Sequence, residues 1–503
     1  MALLALTDFI FLVLAVFLLK QLFSTRPPAP YPPGPKALPL IGNVLDMPTE
    51  QEWKTFSKWG QVWGDFMSLN VLGQTLIILN SSKLAIEMLD RKSSIYSDRP
   101  FLMMAGEIVG WKDTLALTPY GDRFRSIRKM FHGAIGTKSS IARYLPVEQR
   151  ETAKFLKRVL NAPHAIADHI RWTAGSIILE LAYGYKVKEE SDPIVNVVDQ
   201  ATEQFSLATA PGAFLVDVIP ALRHVPEWLP GADWKKKAAS WSRTLTDMVN
   251  VPLDFVQRQM AAGVAAPSIT QSLLENPELT AEERSTIKWA AASLYSGGAD
   301  TTVSAIYTFY LAMTLYPEVQ RKAQAEIDAV VGNDRLPNHQ DRQHLPYVEA
   351  LVKEVLRWNP VTPLGVPHRV TEDDVHEGYY IPKGSVVITN IWQILHDPRT
   401  YSDALEFNPS RFLGAQPEQD PRSFCFGFGR RVCPGMKLAD ASIFISCAMS
   451  LAVFDIAKAV DACGAVLEPT VDYTSGTISH PKPFPCSIKA RSLKAEALIR
   501  SAE

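Results

Sequence analysis

Five residues between positions 426 and 435 have the types and spacing of a loop built around one thiolate: Phe426, Gly429, Arg431, Cys433 and Gly435. A cysteine binds a metal only as its anion, so the sulfur must be kept deprotonated. Glycines let the backbone turn tightly and approach a bound group without a Cβ clash. A helical pattern opens at Cys433, and a helix N-terminus stabilises an anionic sulfur. The loop therefore predicts a thiolate ligand, with Arg431 beside it as a partner for an anionic group.

The same five positions fit F-x-x-G-x-R-x-C-x-G, and this stretch resembles the haem-binding loop of the cytochrome P-450 superfamily. In that superfamily a cysteine thiolate is the established axial ligand of the iron. The resemblance implies that Cys433 ligates haem b and that Arg431 pairs with a haem propionate. The alternative is a plain buried cysteine. Cys425 lacks the frame and is expected in the core or at the surface.

A second pattern, Glu354-Val355-Leu356-Arg357, puts opposite charges at i and i+3 on one helical face. Alone it is not specific, because Glu318 to Arg321 has the same spacing and is expected to be a solvated pair. The first pair is distinguished by Phe407-Asn408-Pro409-Ser410-Arg411-Phe412, which resembles the superfamily's aromatic-x-Pro-x-Arg-Phe turn. The resemblance implies a structural triad of Glu354, Arg357 and Arg411.

Paired glycines interrupt the apolar helical pattern from Ile287 to Leu315, followed at once by Asp300 and Thr301. Each mid-helix glycine costs about 1 kcal/mol relative to alanine, so room for a ligand against the helix is expected. Threonine hydroxyls can bond to the preceding turn and open it locally. The resemblance implies that Asp300 and Thr301 relay protons to bound dioxygen. The alternative is a glycine-softened helix crossing with an exposed aspartate.

Residues 124–128 take the place of the superfamily's W-x-x-x-R, with Phe124 for tryptophan and Arg128 in the basic position. The resemblance implies that Arg128 contacts a propionate, although the indole N–H donor is missing. His368 and Arg369 follow a proline and match the strand that supplies another propionate donor. The sequence does not decide between these two residues.

Overall composition describes a globular chain of 503 residues with 47% hydrophobic residues. Lys plus Arg number 51 and Asp plus Glu 53, a net charge of -2 that argues against nucleic acid as the main partner. The five cysteines are an odd and sparse set for a chain of this length, which argues against a disulfide framework. They form no C-x-x-C pair, which argues against a structural zinc site.

Periodicity predicts a mainly α body with small β-sheets, and the resemblance implies the cytochrome P-450 fold as a single large catalytic domain over residues 37–503. Helices are expected through most of residues 81–351 and again from 433 to 451. Strands are expected as a pair over 62–79 around Gly73 and as short strands over 375–388, while 470–488 should be loops and short strands.

The N-terminus predicts a transmembrane anchor over residues 1–23 and a proline-rich hinge over 24–36. The apolar run from Ala2 to Leu19 spans ~27 Å as a helix, which matches the endoplasmic reticulum membrane. Lys20 and Arg26 follow it, so the catalytic domain should be cytosolic. A cleaved signal peptide is the alternative, but it needs a basic start and a small-residue cleavage site that this segment lacks.

The resemblance, closest to fungal microsomal members of biosynthetic pathways, implies a monooxygenase that inserts one oxygen atom from dioxygen into a lipophilic small molecule. Electrons should come from outside the chain, because no flavin or nicotinamide fingerprint is visible. The resemblance implies NADPH-cytochrome P-450 reductase as the donor, with Arg430 and Lys437 as candidate docking charges. Two rivals are a haem-thiolate isomerase or dehydratase and a non-enzymatic haem-binding protein, both disfavoured by Asp300 and Thr301. Substrate contacts are expected at residues 101–104, 208–214, 361–366 and 474–478.

Overall fold

The computed structural model describes residues 27–188, 192–210 and 212–502. The anchor expected over residues 1–23 and the first residues of the expected hinge lie outside these ranges. Within them helices predominate and the strands form three small sheets. The expected mainly α class with small β-sheets is confirmed.

The α-helices range from single turns to one of 35 residues. They are α1 (Glu52–Trp63), α2 (Ser82–Ala85), α3 (Ser93–Tyr96), α4 (Asp122–Ile135), α5 (Lys138–Ala142), α6 (Leu145–Asn161), α7 (Ile166–Tyr183), α8 (Pro193–Thr209), α9 (Leu215–Val218), α10 (Asp233–Ala261), α11 (Ile269–Leu274), α12 (Ala281–Leu315), α13 (Pro317–Val330), α14 (Pro346–Trp358), α15 (Ile391–Leu395), α16 (Arg422–Cys425), α17 (Met436–Val453) and α18 (Leu493–Ser501). Two π-helices span Ile86–Arg91 and Met103–Val109. The 3-10 helices are Val44–Asp46, Trp111–Asp113, Pro163–Ala165, Pro220–His224, Asp341–His344, Pro409–Phe412 and Gly429–Arg431.

The described residues form eight strands in three sheets: β1 (Phe66–Val71), β2 (Gln74–Leu79), β3 (His368–Arg369), β4 (Asp374–His376), β5 (Tyr379–Ile381), β6 (Val386–Thr389), β7 (Phe454–Lys458) and β8 (Cys486–Ala490). The largest sheet has four strands in the order β1-β2-β6-β3. Strands β1 and β2 form an antiparallel hairpin, β6 runs parallel to β2, and β3 runs antiparallel to β6 with His368 opposite Val387. The other two sheets have two strands each, β4-β5 and β7-β8.

The first strand begins later than the sequence predicted. Residues up to Trp63 belong to α1, which buries Trp53 and Phe56 at helical spacing and leaves Val62 71% exposed. Gly64, at φ 91°, ends the helix before the strand starts. Trp63 packs against the core with the buried face of α1, whereas Val62 lies on its exposed side. The β-favouring residues that follow made this end of the helix look like part of the strand.

Helix α12 is the central element of the core. A capping box between Thr280 and Glu283 starts it six residues before the predicted start, and Tyr316-Pro317 ends it. Every residue from Thr302 to Thr314 is buried, so this half is enclosed on all sides. Its first half packs across α7 and α8 and forms one wall of an internal cavity.

Helix α17 is the one helix in the described part of the chain that is long and apolar enough to cross a membrane. Yet 72% of it is buried inside the protein. It packs against α6, α12 and α14, as a core helix does.

A buried charge cluster fixes the coil that leads into the thiolate loop. Helix α14 carries Glu354 and Arg357 one turn apart, and the Nε and Nη2 of Arg357 donate to Glu354 at 2.7 and 2.9 Å. Arg411 Nε donates to Glu354 at 3.1 Å, and Arg411 Nη1 donates to Glu418 at 2.7 Å. The remaining N–H groups of Arg357 donate to the backbone carbonyls of Leu395, Ala404 and Glu406. By contrast Glu318 and Arg321 are both exposed, as expected of a solvated pair.

Arg357→Ala is expected to lower the free energy of unfolding by about 3–5 kcal/mol, because it leaves the buried carboxylate of Glu354 without its main partner. Arg321→Ala, at the matching position of the exposed pair, should change it by less than about 0.5 kcal/mol. Urea unfolding followed by far-ultraviolet circular dichroism measures both. Equal midpoints for Arg357→Ala and the unaltered chain would contradict the structural role of the cluster.

Candidate active site

A large internal cavity lies between α12 and the loop that precedes α17. Most of the sequence-predicted binding residues border it: Phe426, Arg431, Cys433, Gly435, Arg128, His368 and Thr301. Gly429, Arg369 and Asp300 do not. Most of the remaining lining is apolar, contributed by α4, α7, α8, α12 and α17.

The thiolate loop is closed by its own backbone and by a close approach to a neighbouring helix. The N–H of Cys433 donates to the carbonyl of Phe426 at 2.8 Å. Gly429 has φ 55°, and a Cβ there would lie 2.1 Å from the carbonyl oxygen of Leu89 in the π-helix Ile86–Arg91. Only glycine fits this position. Gly435 has an ordinary φ of -87°, and its Cβ would meet only Cys433 Sγ, at 3.8 Å. Of these two glycines, only Gly429 has a backbone conformation and a close contact that require glycine.

Opposing effects act on the sulfur of Cys433. Burial raises the pKa of the thiol, while the N–H groups of Gly435 and Met436 and the charge of Arg128 act in the other direction. The two N–H groups stand at the start of α17, so the helix begins three residues after the sulfur rather than at it. Burial wins in this balance, and a bound cation is what would reverse it, because a metal-coordinated thiol is deprotonated outright.

Cys425, expected in the core or at the surface, packs into the core and also reaches the wall of the cavity. Burial and then the negative charge of Asp420 raise the pKa of its thiol well above the usual range. Its environment therefore opposes the thiolate form.

Basic residues crowd one edge of the cavity: Arg99, Arg128, His368 and Arg431. None of the side chains that line the cavity is a carboxylate, within the described residues. The three guanidinium groups instead donate to backbone carbonyls, at 2.6 to 2.9 Å in the close contacts. The acceptors are Ala116, Val366 and Pro367 for Arg99, Val432 for Arg128, and Ser97 and Thr118 for Arg431.

The positive charges at this edge repel one another and lower each other's pKa. Burial and then the charge of Arg431 lower the pKa of Arg99 well below its usual range. Burial lowers the pKa of Arg431 to about 10, against the opposing effect of Asp98. Burial and the charge of Arg99 lower the pKa of His368 to about 3, so its imidazole is neutral at pH 7. A buried edge of this kind is stabilised by an anionic ligand.

Strand β3 decides between His368 and Arg369, because successive side chains point to opposite faces. His368 faces the cavity and its Nδ1 lies 2.6 Å from the carbonyl of Tyr96. Arg369 points away, donates from Nε to Asp98 at 2.9 Å and is 42% exposed. The expectation that Arg369 binds the cofactor is therefore not supported by its position.

The substitution at Phe124 brings its own contact. The guanidinium carbon of Arg431 lies 3.9 Å from the centre of the Phe124 ring. An aromatic face attracts a cation, so Phe124 orients Arg431 where tryptophan would have offered an N–H group.

The glycines of α12 serve two purposes. A Cβ on Gly297 would meet nothing within 4 Å, so this position opens onto the cavity as expected. A Cβ on Gly298 would lie 2.8 Å from Ile178 Cδ1, so this glycine permits the crossing of α12 over α7. Thr301 borders the cavity and donates to the carbonyl of Gly297 at 2.7 Å.

Asp300 does not face the cavity beside Thr301. Consecutive residues of a helix are rotated by about 100°, and the Asp300 carboxylate points to His480, whose Nε2 lies 3.1 Å from Oδ2. The side chains of Asp300 and Thr301, which were expected to act as a pair, thus lie on different sides of α12.

Two of the four expected substrate-contact segments line the cavity, namely residues 361–366 and, at Thr477 and Ile478, residues 474–478. Residues 101–104 and the described residues of the range 208–214 do not: Met103 and Met104 are buried in the core and Phe101 is exposed. The π-helix Met103–Val109 turns this segment away, and Trp111 contacts Phe205 in its place, with ring centroids 4.8 Å apart.

Comparison with known proteins agrees with this geometry. The sequence model of the Cytochrome P-450 family matches residues 32–484. Cytochrome P-450 monooxygenase 208 of Postia placenta is 58% identical over 97% of this chain and 96% of its own length. Cytochrome P-450 monooxygenase claR of Ampulloclitocybe clavipes is 50% identical over 93% of this chain and 88% of its own length. Cytochrome P-450 monooxygenase ppsD of Aspergillus oryzae is 41% identical over 93% of this chain and 90% of its own length.

The chain belongs to the cytochrome P-450 family. It is a monooxygenase, an oxidoreductase that incorporates oxygen from dioxygen. The family implies a haem with a cysteine thiolate ligand.

The cavity of this cytochrome P-450 suits that group on independent grounds. A haem carries two propionates on one edge, and the cavity carries its basic residues on one edge without a carboxylate among its lining. Its iron accepts a thiolate, and Cys433 borders the same cavity beside Phe426. The residues present therefore fit the group that the family implies.

Arg99 is a binding candidate that the sequence did not reveal. It lies in the coil Ser97-Asp98-Arg99-Pro100, which shows no hydrophobic periodicity and contains none of the family motifs found elsewhere in the chain. Only its packing beneath residues 366–367 and beside Arg431 identifies it.

Arg128→Gln is expected to release haem several-fold faster than the unaltered protein, because it removes one cation from the basic edge. Arg125→Gln is the matched control, since Arg125 lies on the same helix α4 but is exposed. Transfer of haem to apomyoglobin, followed by absorbance, measures both rates. Identical rates for Arg128→Gln and Arg125→Gln would contradict a role of this edge in holding the haem.

Proposed function

We propose that this cytochrome P-450 inserts one oxygen atom into a lipophilic small molecule of secondary metabolism, with Cys433 as the axial ligand of haem b. The observation that carries the proposal is that Cys433 and Thr301 border one cavity whose edge is basic and whose walls are largely apolar. Similar fungal monooxygenases over nearly the whole chain support it.

The bound haem would supply the activation of dioxygen and the oxidation of the substrate. The chain supplies the surroundings. The N–H groups of Gly435 and Met436 donate toward the Cys433 sulfur and moderate its negative charge. Arg99, Arg128, His368 and Arg431 would receive the propionates.

Thr301 is proposed to hold and pass a proton inside the cavity. Its hydroxyl now donates to the carbonyl of Gly297, and rotation about χ1 would turn the same hydrogen toward a ligand. Gly297 leaves space beside it, since nothing lies within 4 Å of its Cβ position. Asp300, the next residue along the helix, would return the proton to Thr301.

The walls support a lipophilic substrate. Trp111, Phe205, Leu115, Val366 and Ile478 border the cavity together, and such walls bind apolar surface. The few hydroxyl groups among them, such as those of Thr202 and Thr477, would orient the substrate and would contribute less to its affinity than the apolar walls.

The electron donor is proposed to be NADPH-cytochrome P-450 reductase. Arg430 is exposed, and its side-chain hydrogen bond, from Nη1 to the Tyr120 hydroxyl at 2.9 Å, is exposed too, so its charge remains accessible to a docking protein. Lys437 is half-buried and donates to the carbonyl of Gly136 at 2.8 Å, which favours a structural role.

The decisive test uses the full chain with that reductase, NADPH, ¹⁸O-labelled dioxygen and an extract of the native host. One product carrying a single ¹⁸O atom and absent without NADPH is the expected result. Turnover that needs neither NADPH nor dioxygen would favour an isomerase or dehydratase. Haem binding without any product or NADPH oxidation would favour a non-enzymatic protein.

Thr301→Val is expected to lower product formation by about 10²-fold, because a positioned acid contributes about that factor. NADPH oxidation should continue, with its electrons appearing as hydrogen peroxide. Thr314→Val is the matched control, since Thr314 lies on α12 and also donates to the carbonyl four residues earlier, but away from the cavity. Undiminished product from Thr301→Val would contradict the assignment.

We further propose that residues 1–23 anchor the protein in the endoplasmic reticulum membrane as a single pass, with residues 24–36 as a hinge and the catalytic domain in the cytosol. The apolar run before Lys20 supports it. The full chain should remain in membranes washed with alkaline carbonate, and a chain that begins at residue 27 should be released. Release of the full chain would refute the anchor.

A further inference from the structure

Asp300 is held outside the cavity by a histidine from the C-terminal part of the chain. His480 Nε2 lies 3.1 Å from Asp300 Oδ2. The two side chains are 17% and 13% exposed, so this contact stands between the cavity wall and solvent.

The backbone around His480 is tied down on both sides. Its N–H donates to Thr474 Oγ1 at 2.9 Å, and the N–H of Thr474 donates back to its carbonyl at 2.8 Å. One residue earlier, Ser479 accepts from Ser304 of α12 and donates from its N–H to Val361. The imidazole is therefore placed against Asp300 by a loop that is fastened to the same helix.

A third titratable group faces this contact from helix α8. Burial and then the negative charge of Asp300 raise the pKa of Asp199 to about 7, while Arg171 and His480 act against the shift. From α7, Arg171 and Asp168 form an ion pair with each other at 3.3 Å. Asp199 can thus carry a proton at neutral pH beside α12.

We propose that His480 is the positioning residue of Asp300 and the point at which protons from solvent reach Asp300 and Thr301. This inference rests on the proton-passing role proposed for Thr301. The imidazolium gives its Nε2 proton to Asp300 Oδ2, and solvent reprotonates the ring. Asp300 then rotates about its side-chain bonds and passes the proton to Thr301. One proton enters for each proton delivered, and no oxidation or reduction occurs in these steps.

Two substitutions separate positioning from proton transfer. In His480→Gln the amide nitrogen takes the place of Nε2 and can still donate to Asp300, but it does not titrate. His480→Leu removes both functions. His164→Gln is the matched control, since His164 is exposed on the 3-10 helix Pro163–Ala165. The test uses haem-loaded full chain, reductase, NADPH and dioxygen without substrate.

The first readout is the ratio of NADPH to dioxygen consumed between pH 5.5 and 8.5. Dioxygen reduced to water takes two NADPH, and dioxygen reduced to peroxide takes one. We expect the ratio of the unaltered protein to fall as pH rises through the range in which histidines titrate. His480→Gln should give a lower ratio that depends less on pH, since only Asp199 of this cluster still titrates in that range, and His480→Leu a ratio near one throughout.

The second readout does not depend on turnover. In protein labelled with ¹³Cε1-histidine, the resonance lost in His480→Gln should shift in Asp300→Asn and stay in place in Asp254→Asn, an exposed control. An unmoved resonance in Asp300→Asn would overturn the contact on which the inference depends.

Failures of the two proposals are distinguishable. If both His480 variants keep the ratio and pH profile of the unaltered protein while Thr301→Val lowers the ratio, the role of His480 is refuted and that of Thr301 stands. If Thr301→Val leaves the ratio unchanged, the role of Thr301 itself is refuted. If only His480→Leu differs from the unaltered protein, positioning is supported and proton transfer through His480 is refuted.

Discussion

The fold must bury two kinds of charge in one cavity: the sulfur of Cys433, which is negative when it binds a metal, and the positively charged basic edge. Burial disfavours an anionic thiolate, and it also disfavours Arg99 and Arg431 side by side. Each is unfavourable alone in a cavity of low dielectric. A planar group with a cationic metal at its centre and two carboxylates on one edge relieves both at once. The proposed haem would therefore stabilise the cavity, and the hydrogen bonds around it keep these charged side chains in place.

Several features of the fold follow from that requirement. The thiolate loop presses so closely on the π-helix Ile86–Arg91 that Gly429 cannot carry a side chain. The coil leading to it is held by Arg357, all of whose N–H groups are used on Glu354 and three carbonyls. Across the cavity, the second half of α12 is fully buried in the core, and Gly297 in its first half leaves free space on the cavity side. A ligand could therefore bind against a helix that the core holds in place.

What the sequence could predict depended on how local the constraint is. Cys433 and the pair Glu354–Arg357 sit in fixed short spacings, because one turn of loop or helix places their atoms. Arg99 and His480 reach their positions through packing between segments 267 and 180 residues apart, so no local pattern marks them. Residues 101–104 were expected at the cavity from their position in the family, but a π-helix turns them away. Val62 was assigned to the strand because a helix and a strand adjoin there with only Gly64 and Asp65 between them.

The most direct test of this account is the absorption spectrum of the reduced, carbon-monoxide-treated protein. Two cysteines that border the same cavity provide the comparison. The account predicts that Cys425→Ser keeps the red-shifted Soret band of a thiolate-ligated haem and that Cys433→Ser loses it. A correctly folded Cys433→Ser protein with an unchanged band would contradict it, as would the absence of that band from the unaltered protein.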